Sequence, residues 1–219
     1  MYTIPHLGMK QAVDALVQAG VKHFVFLSSY TVQDKYLKVH DHIAERHHNV
    51  EQTIKSHSGV TYTFIRGGGF ASNVFMFWGK QLKSGAPISL IGDDGFHATA
   101  IAEEDMATIA VRSLTSTDLD NQAVPARGPH ILTHRQHLDM IGKVWGVKPS
   151  IQSLSEQDYK DHMKSHIPYP SLVDSIVRIG IDPDTSKEGD VNETKKALQR
   201  DPMDFETYLK LHKHEFDAL

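Results

Sequence analysis

Hydrophobic and polar positions divide the start of the chain into two helix–strand units. Leu7, Val13, Leu16 and Val17 are spaced as on one face of a helix, and Gly20 follows as its end. The unbroken apolar run KHFVFLSS comes directly afterwards. Short continuous apolar runs are typical of strands that are buried on both faces of a parallel sheet.

The second unit repeats this order after a polar stretch. IAERHHNVEQTIKSHSG predicts a helix with Ile43, Val50 and Ile54 inward and Gly59 at its end. VTYTFIR predicts a second buried strand, which the glycines after it terminate. Two such units in succession indicate an α/β protein with a parallel sheet.

The rest of the chain predicts mainly helices. The closing helix should be capped by Asp201, with Pro202 in its first position. Short strands are expected within 86–95 and 127–133, and a loop over 182–193. The helices are expected over residues 70–85, 102–116, 134–146, 155–166, 169–180 and 201–216.

Composition bounds the class of protein. The chain has 219 residues, of which 40% are hydrophobic and 23% charged, as in an ordinary globular protein. Its formal net charge of -4 argues against nucleic acid as a partner. It has no apolar run of membrane-spanning length and no secretion signal, so we expect a cytoplasmic protein without a membrane partner.

Metal and thiol chemistry have little support in the sequence. The absence of cysteine excludes disulfides, thiol nucleophiles and thiolate ligands. The chain has 15 histidines, and the segment HDHIAERHH invites a zinc interpretation. No H-E-x-x-H motif or carboxylate cluster completes such a site, so we predict no metal and treat most histidines as solvated surface residues.

The run RGGGF follows the second predicted strand and raises the question of a phosphate-binding loop. It lacks the spacing G-x-G-x-x-G, which brings the backbone close to a pyrophosphate. Loops after the carboxyl end of a parallel strand face the ligand crevice. We therefore expect Gly67 and Gly68 to form the floor of a substrate pocket; the alternative is a strand exit that binds nothing.

These units resemble the NmrA-like family of atypical short-chain dehydrogenases/reductases. AGVKHFVFLSS is similar to the family's fifth strand and the turn before it, and VEQTIKSHSGVTYTFIRGGGFASN to its next helix and sixth strand. Glu51, Arg66, Phe70 and Asn73 stand where the family has Glu, Arg, Phe and Asn. The resemblance covers nearly the whole chain and implies a Rossmann-type fold with a small, mostly helical C-terminal lobe.

On this basis we expect an N-terminally truncated Rossmann-type α/β domain over residues 1–145, with 80–97 contributing to the small lobe. The lobe itself and the closing helix would occupy residues 146–219. Family members normally begin with a strand and a Gly-rich dinucleotide loop, and no such motif opens this chain. Roughly 75 residues would be absent, or two to three βα units of about 30 residues each.

The cofactor expectation follows from that departure. The chain as written is expected to use no cofactor and to bind NAD(P)H weakly or not at all. NAD(P)H is expected only if an N-terminal nucleotide-binding half exists. The residues that would bind the cofactor are not identifiable from the sequence.

Three residues are candidates for catalysis. Ser29 and Tyr30 end the first predicted strand, although no Y-x-x-x-K motif follows Tyr30 as short-chain dehydrogenases require. The resemblance places His47 where the atypical family has a Lys, four residues before Glu51 on one helical face. A histidine there is suited to general acid–base chemistry, because its ordinary pKa lies near neutral pH.

Substrate contacts are expected from aromatic and polar residues after the second strand. Phe70, Asn73 and Phe77 suit the wall of a pocket for a flat apolar molecule, although core packing is the default role of such residues. The resemblance alone adds Tyr169, as a residue that closes the pocket from the C-terminal lobe.

Three functions remain open at this point. The chain is a small-molecule enzyme, whose chemistry is non-redox isomerisation or cyclisation if no nucleotide binds. Alternatively it is the C-terminal part of an NAD(P)H-dependent oxidoreductase, or a non-catalytic regulator or sensor. We also expect a homodimer or larger assembly, because missing strands would leave a sheet edge or face uncovered.

Overall fold

A three-stranded parallel sheet forms the centre of the protein. The computed structural model describes residues 6–165, 169–182 and 188–219. Strand β1 (His23–Ser29) pairs with β2 (Thr61–Gly67), and β2 pairs with β5 (Gln122–Ala126), in the order β1-β2-β5. The predicted α/β class with a parallel sheet is therefore confirmed.

Two helices cover one face of this sheet. Helix α1 (His6–Gln18) packs against α3 (His42–Lys55), and their apolar side chains meet those of β1 and β2. A four-residue helix, α2 (Asp34–Leu37), lies between β1 and α3. Asp41 caps α3 by accepting hydrogen bonds from the N–H groups of Ile43 and Ala44.

The opposite face is covered by α5 (Glu103–Thr115) and α9 (Glu188–Leu198). Helix α5 lies over β1 and β2, and α9 lies over β5. Met106, Ile109 and Ala110 of α5, which the sequence predicts to face inward, pack between the helices and the sheet, whereas Leu114, expected to face inward as well, is 64% exposed. Arg112, also in α5, donates hydrogen bonds from its guanidinium group to the carbonyls of Lys196 and Ala197 in α9.

Several of the remaining elements pack around a second core. Helix α4 (Asn73–Ser84) follows β2, and its side chains meet those of α6 (His134–Trp145) and α10 (Phe205–Leu211). The Trp145 indole N–H donates to the Leu209 carbonyl inside this core. The other elements here are β3 (Ile88–Ile91) paired with β7 (Ile151–Leu154), β4 (His97–Ala98) paired with β6 (Leu132–Thr133), α7 (Glu156–Lys164), α8 (Ser171–Ile181) and α11 (Lys213–Ala218).

The predicted domain division stays a prediction. The pairing of β3 with β7 joins part of 80–97 to the later half of the chain, as that division requires. Helix α9, however, belongs to the later half and packs on the central sheet through β5.

Several predicted boundaries are wrong. The segment QAVPA, for which no element was predicted, forms β5, and the third strand expected within 127–133 is the two-residue β6. Part of the loop expected over 182–193 is helix α9. The closing helix begins at Phe205 with Asp204 as its cap, and it is divided into α10 and α11.

Some expectations lie outside the described part of the chain. They are the inward side chain of Leu7, the end of the predicted helix at His166 and residues 183–187 of the predicted loop. Among the described helices, none combines the length and the apolar character needed to cross a bilayer.

Candidate functional site at the carboxyl edge of the central sheet

The strands of the central sheet end side by side. Ser28 of β1 lies opposite Arg66 of β2, and Ser29 lies opposite Gly67. We call Ser28–Tyr30, Gly67–Phe70 and Arg127 the carboxyl edge, because they stand at or directly after the carboxyl ends of β1, β2 and β5. Ligands of open parallel sheets bind at this edge.

The glycine run is tied into the structure by its own backbone. The Gly68 N–H donates to the Ala126 carbonyl, and the Gly69 carbonyl accepts from Ile101. The Ala71 N–H donates back to Ile101, which forms an isolated bridge with Phe70. A phosphate cradle needs consecutive N–H groups that point at the ligand. RGGGF is therefore a braced strand exit and not a pyrophosphate loop.

Two of the glycines are closely packed and one is not. A Cβ on Gly68 would lie 3.1 Å from Arg127 Nη1 and 3.3 Å from the Thr99 carbonyl oxygen. A Cβ on Gly67 would lie 3.3 Å from Met106 Sδ, whereas one on Gly69 would meet nothing within 4 Å. The surface is thus closed beneath Gly68 and open at Gly69.

Tyr30 lies beneath a buried arginine. The Arg127 side chain is 3% exposed, and its guanidinium carbon stands 4.0 Å from the centre of the Tyr30 ring. Burial raises the pKa of Tyr30 to about 12, and the Arg127 charge opposes that rise. At neutral pH the phenol is therefore protonated and its ring is engaged by a cation.

The two serines at the end of β1 have different partners. Ser28 Oγ donates a 2.6 Å hydrogen bond to the Glu51 carboxylate. Ser29 Oγ is 2.9 Å from Thr31 Oγ1 and accepts from the Thr31 N–H. Both serine side chains are buried, so Ser29 is held by the local turn.

Glu51 and Arg66 form a two-point ion pair behind the carboxyl edge. Arg66 donates from Nε to Glu51 Oε1 at 3.0 Å and from Nη2 to Oε2 at 2.6 Å. The Glu51 side chain is fully buried, and that of Arg66 is 27% exposed. With Ser28, this pair joins the ends of β1 and β2 to α3.

His47 lies one helical turn before Glu51. Its Nδ1 is 2.8 Å from the Ile43 carbonyl oxygen, so the Nδ1–H donates and Nε2 is left as the acceptor. Its ring is 6.3 Å from that of Phe26 in β1. Burial lowers the pKa of His47, and the bond to Ile43 opposes this; the imidazole is accordingly neutral at pH 7.

The predicted catalytic residues do not form a relay. Within the described residues, no hydrogen bond joins His47, Ser29 or Tyr30 to one another. Of the three, only His47 has a side chain suited to exchange a proton near neutral pH, through its ring nitrogen Nε2. The catalytic role of all three stays a prediction.

Only some of the predicted substrate residues lie near the carboxyl edge. Phe70 is exposed, and its ring approaches the position of a Gly67 Cβ. Asn73 begins α4, and its N–H donates to the Phe70 carbonyl. Phe77 is exposed one turn further along α4, and Tyr169 is exposed just before α8. The binding roles of these residues and of Gly67 and Gly68 also stay predictions.

The carboxyl edge is exposed only in part, because Ser28, Ser29, Gly67 and Arg127 are buried whereas Phe70 is exposed. Two surface hollows, one along α9 and the other beside His130, Met140 and Asp204, lie away from it. Among the described residues, no group of three or more histidine and acidic side chains is arranged to hold a metal ion.

Sequence reasoning missed Arg127 and gave Glu51 and Arg66 no role in the site. Arg127 follows β5, which the proline in QAVPA concealed. Recognition of β5 would have placed a charged residue after a third strand end, which is a usable signal. The Glu51–Arg66 pair could not be found by spacing, because it joins a helix to a strand.

A family comparison decides the relationship of the chain. A model of the NAD(P)H-binding family matches residues 3–117. The chain belongs to the NAD(P)H-binding family. The match includes β1, α3, β2 and the glycine run, and it supports the resemblance drawn from the sequence at this coarser level.

Curated relatives are reductases. A (4-alkanoyl-5-oxo-2,5-dihydrofuran-3-yl)methyl phosphate reductase of Streptomyces griseus is 28% identical over 71% of this chain and 54% of its own length. An NAD(P)H azoreductase of Xenophilus azovorans is 24% identical over 94% of this chain and 70% of its own. The chain thus spans about half the length of the first relative.

Solved structures of Rossmann-type proteins share the fold. A nucleoside-diphosphate-sugar epimerase from Staphylococcus aureus superposes with a TM-score of 0.75, 16% identity and coverage of 96% of this chain and 74% of its own. An NADPH-dependent quinone oxidoreductase from Escherichia coli, solved with NADPH, superposes with a TM-score of 0.71 and 21% identity. The match covers 93% of this chain and 70% of the oxidoreductase. At such identities the likeness shows the fold alone.

Two expectations about the cofactor are affected. The absence of a cofactor is not confirmed, because the chain belongs to a family of NAD(P)H-binding proteins. The expected loss of an N-terminal nucleotide-binding part is not confirmed either and stays a prediction. Non-redox isomerisation and cyclisation receive no support from the comparisons.

Proposed function

We propose that the protein is an NAD(P)H-dependent oxidoreductase that reduces a small, flat, conjugated organic molecule. The observation that carries this proposal is the meeting of the carboxyl ends of β1 and β2 at one edge in a chain of the NAD(P)H-binding family. Relatives named as an azoreductase and a quinone oxidoreductase support it. Azo groups and quinones share an electron-poor conjugated system that accepts a hydride and a proton.

The carboxyl edge fits the nicotinamide end of the cofactor. A Cβ on Gly69 would meet nothing within 4 Å, which leaves space at this edge beside the exposed Phe70. The Ser29 hydroxyl, which Thr31 already engages, lies in the same edge opposite Gly67. When bound there, reduced nicotinamide supplies the hydride.

The described residues do not fit the pyrophosphate end in the same way. The chain contains no G-x-G-x-x-G spacing. The N–H groups of Gly68 and Ala71 already donate to carbonyls. We therefore assign only the nicotinamide end to this edge, and expect the 219-residue chain to gain little affinity from the rest of the dinucleotide.

We assign to His47 the donation of the proton that completes the reduction. Hydride addition leaves a negative charge on the acceptor, and one proton must follow. His47, as imidazolium, donates it from Nε2, because Nδ1 is committed to the Ile43 carbonyl. Burial lowers the pKa of His47, so the charged form is a good acid that is scarce at neutral pH.

Phe70 is assigned to stacking on the acceptor, with Asn73 and Phe77 beside it on α4. Aromatic pairs of this kind are worth about 0.5–1.5 kcal/mol beyond area burial. Phe70→Ala should then raise KM for the acceptor roughly 3–10-fold with a smaller change in kcat.

The test is a turnover assay with NADPH and a panel of quinones and azo dyes. Turnover is measured as the loss of reduced-nicotinamide absorbance. We expect acceptor-dependent oxidation of NADPH, weakened in Phe70→Ala and unchanged in Leu211→Ala, an exposed apolar residue of α10. Absence of NADPH oxidation with every acceptor in a folded chain contradicts the proposed function.

A further inference from the structure

His212 stands at the joint between α10 and α11. Its N–H donates to the Tyr208 carbonyl at the end of α10, and its carbonyl accepts from the Glu215 N–H in α11. The backbone of this one residue therefore belongs to both helices. The proposed function gives it no role.

Both ring nitrogens of His212 contact carboxylates. Nδ1 lies 2.6 Å from Glu215 Oε1 in α11, and Nε2 lies 2.7 Å from Glu104 Oε1 in the first turn of α5. A carboxylate only accepts hydrogen bonds, and a neutral imidazole has one N–H to donate. Only the imidazolium, with two N–H groups, satisfies both contacts at once.

A third element holds the same ring. The centre of the His212 ring lies 4.2 Å from that of Tyr208 in α10, and the two planes are 22° from parallel. A cation over an aromatic face is stabilised by that face. The charged form of His212 is thus favoured by groups from α5, α10 and α11.

The groups that face His212 are Glu103 and Glu104 from α5, Tyr208 from α10, and His214 and Glu215 from α11. Burial, together with the Glu103 carboxylate, raises the pKa of Tyr208, so this phenol stays protonated well above neutral pH. His214 is exposed and its Nδ1 bonds to the Leu211 carbonyl. In this set His212 is the histidine that bonds to carboxylates.

Helix α11 depends on its contacts with the rest of the protein. It has six residues, and isolated helices of that length are not stable in water. Its Phe216 is buried and stacks on Trp145 of α6, with the ring centres 4.4 Å apart. Lys83 of α4 lies over the Phe216 ring and donates to the Asp217 carbonyl.

We propose that His212 is a pH-dependent latch that fastens α11 to the start of α5. In the closed latch the imidazolium donates to Glu104 and Glu215 together. When the ring loses its proton, one of these carboxylates faces an acceptor nitrogen, and the negative charges are no longer compensated.

The start of α5 also braces the turn after the glycine run. Glu103, next to Glu104, accepts hydrogen bonds from the N–H and the hydroxyl of Ser72. The latch therefore joins α11 to the same helix start that supports the segment beside Phe70.

The direction of the pH effect follows from the contacts of His212. Burial lowers its pKa, but its hydrogen bonds to Glu215 and Glu104 outweigh burial and raise it above 6.5. The latch is accordingly complete below pH 6.5 and is lost as pH rises through the folded pKa. Glu104 is 45% and Glu215 48% exposed, so water screens both contacts and the effect is modest.

Hydrogen exchange of the α11 amides in the full chain, corrected for the intrinsic effect of pH, tests the latch. We expect their protection to fall about 2–10-fold between pH 6 and pH 8.5. His212→Gln should give low protection at both values. His214→Gln is the matched control: it leaves both carboxylate contacts in place, so its protection should fall as in the parent chain.

The amides of α3, on the other face of the sheet, report in the same experiment that each variant is folded. Protection of α11 that does not change with pH in the parent chain overturns the proposal. A fall that persists in His212→Gln assigns the effect to another group and overturns it as well.

A double-mutant cycle tests the partner in α5, without NADPH or an acceptor. At pH 6, Glu104→Gln should lower the protection of α11 about as much as His212→Gln does, and the double variant should lose little more, because both changes break the same contact. At pH 8.5, Glu104→Gln should change the protection little. Additive losses at pH 6 would show that the two side chains act independently, which contradicts the latch.

Discussion

At the scale of single residues, Glu51 and Arg66 are unequal partners in their ion pair. Glu51 is fully buried, whereas part of Arg66 reaches water. Removal of one member of a buried pair typically costs 3–5 kcal/mol, because the other charge is left uncompensated. Arg66→Met should therefore lower the free energy of unfolding by about 3–5 kcal/mol, and Glu51→Gln by clearly less.

Urea denaturation of the two single variants and the double variant measures this difference. The double variant should be more stable than Arg66→Met alone, because it removes the stranded carboxylate. Equal losses in both single variants would show that the buried charge is not the cause.

His47 carries the catalytic prediction at this scale. His47→Ala should lower kcat about 10²–10⁴-fold, the usual range for a general acid or base. His48→Ala is the matched control, because its side chain points to a different helical face. Steady-state kinetics on any accepted quinone or azo dye supplies the comparison, and equal activity of the two variants removes His47 from the mechanism.

The pH profile gives an independent check of the same residue. An acid that works as imidazolium loses activity as pH rises through its pKa, and burial holds the pKa of His47 below 6.5. We expect kcat to fall with rising pH along a limb centred below 6.5, and this limb should vanish in His47→Ala. A limb that persists in the variant belongs to another group.

At the scale of elements, the glycine run contains a closely packed residue, Gly68, and one with open space beside it, Gly69. Gly68→Ala would press a methyl group against Arg127 and the Thr99 carbonyl, an overpacking that costs about 1–3 kcal/mol. Gly69→Ala meets open space and should change the free energy of unfolding by under about 0.5 kcal/mol. Thermal unfolding of both variants settles the order, and a reversed order contradicts the described packing.

The elements also show what the sequence was able to predict. Helix α1, β1, α3 and β2 follow directly from apolar spacing and glycine ends, although Leu16 of α1 and Leu27 of β1 are exposed. Strand β5 was missed because Pro125 is tolerated only at a sheet edge, and edge position is a tertiary property. Helix α9 was missed because its polar segment is stabilised by packing on β5.

The sequence predicts where the candidate site lies in the fold, but not which side chains contact one another there. The strand ends pointed to Ser29, Tyr30 and Gly67, and the structure puts these at one edge. The arginine over the Tyr30 ring comes from β5, far along the sequence, so no local spacing encodes it. The same holds for the bonds from Arg66 to Glu51.

At the scale of the whole molecule, two histidines, His137 in the core and the half-buried His134, make stability depend on pH. Burial lowers the pKa of His134 to about 3 and that of His137 to about 4. The His134 ring packs edge-on to Trp78, and that of His137 edge-on to Phe205. Both are neutral in the folded protein and take up protons readily only when it unfolds.

The sign of the effect follows from this difference. The unfolded chain binds more protons below pH 6.5, so stability is full above that value and falls as pH is lowered toward the folded pKa values. The loss is about 1.4 kcal/mol per pH unit for each histidine. Burial lowers the pKa of His212, but its hydrogen bonds to Glu215 and Glu104 outweigh burial and raise it, which opposes part of the loss.

Urea unfolding at pH 7.5 and 5.5 measures the dependence. His137→Leu should flatten it, and the exposed His214→Gln should not. An unchanged slope in His137→Leu would place the proton uptake on other groups.

The central claim is that the carboxyl edge holds the nicotinamide end of NAD(P)H. Calorimetric titration of the 219-residue chain with NADPH, and separately with reduced nicotinamide mononucleotide, tests it most directly. We predict saturable binding of both ligands with dissociation constants within about tenfold of each other, because only the nicotinamide end meets the edge. Binding of neither ligand contradicts the claim, and so does NADPH binding that is far tighter than binding of the mononucleotide.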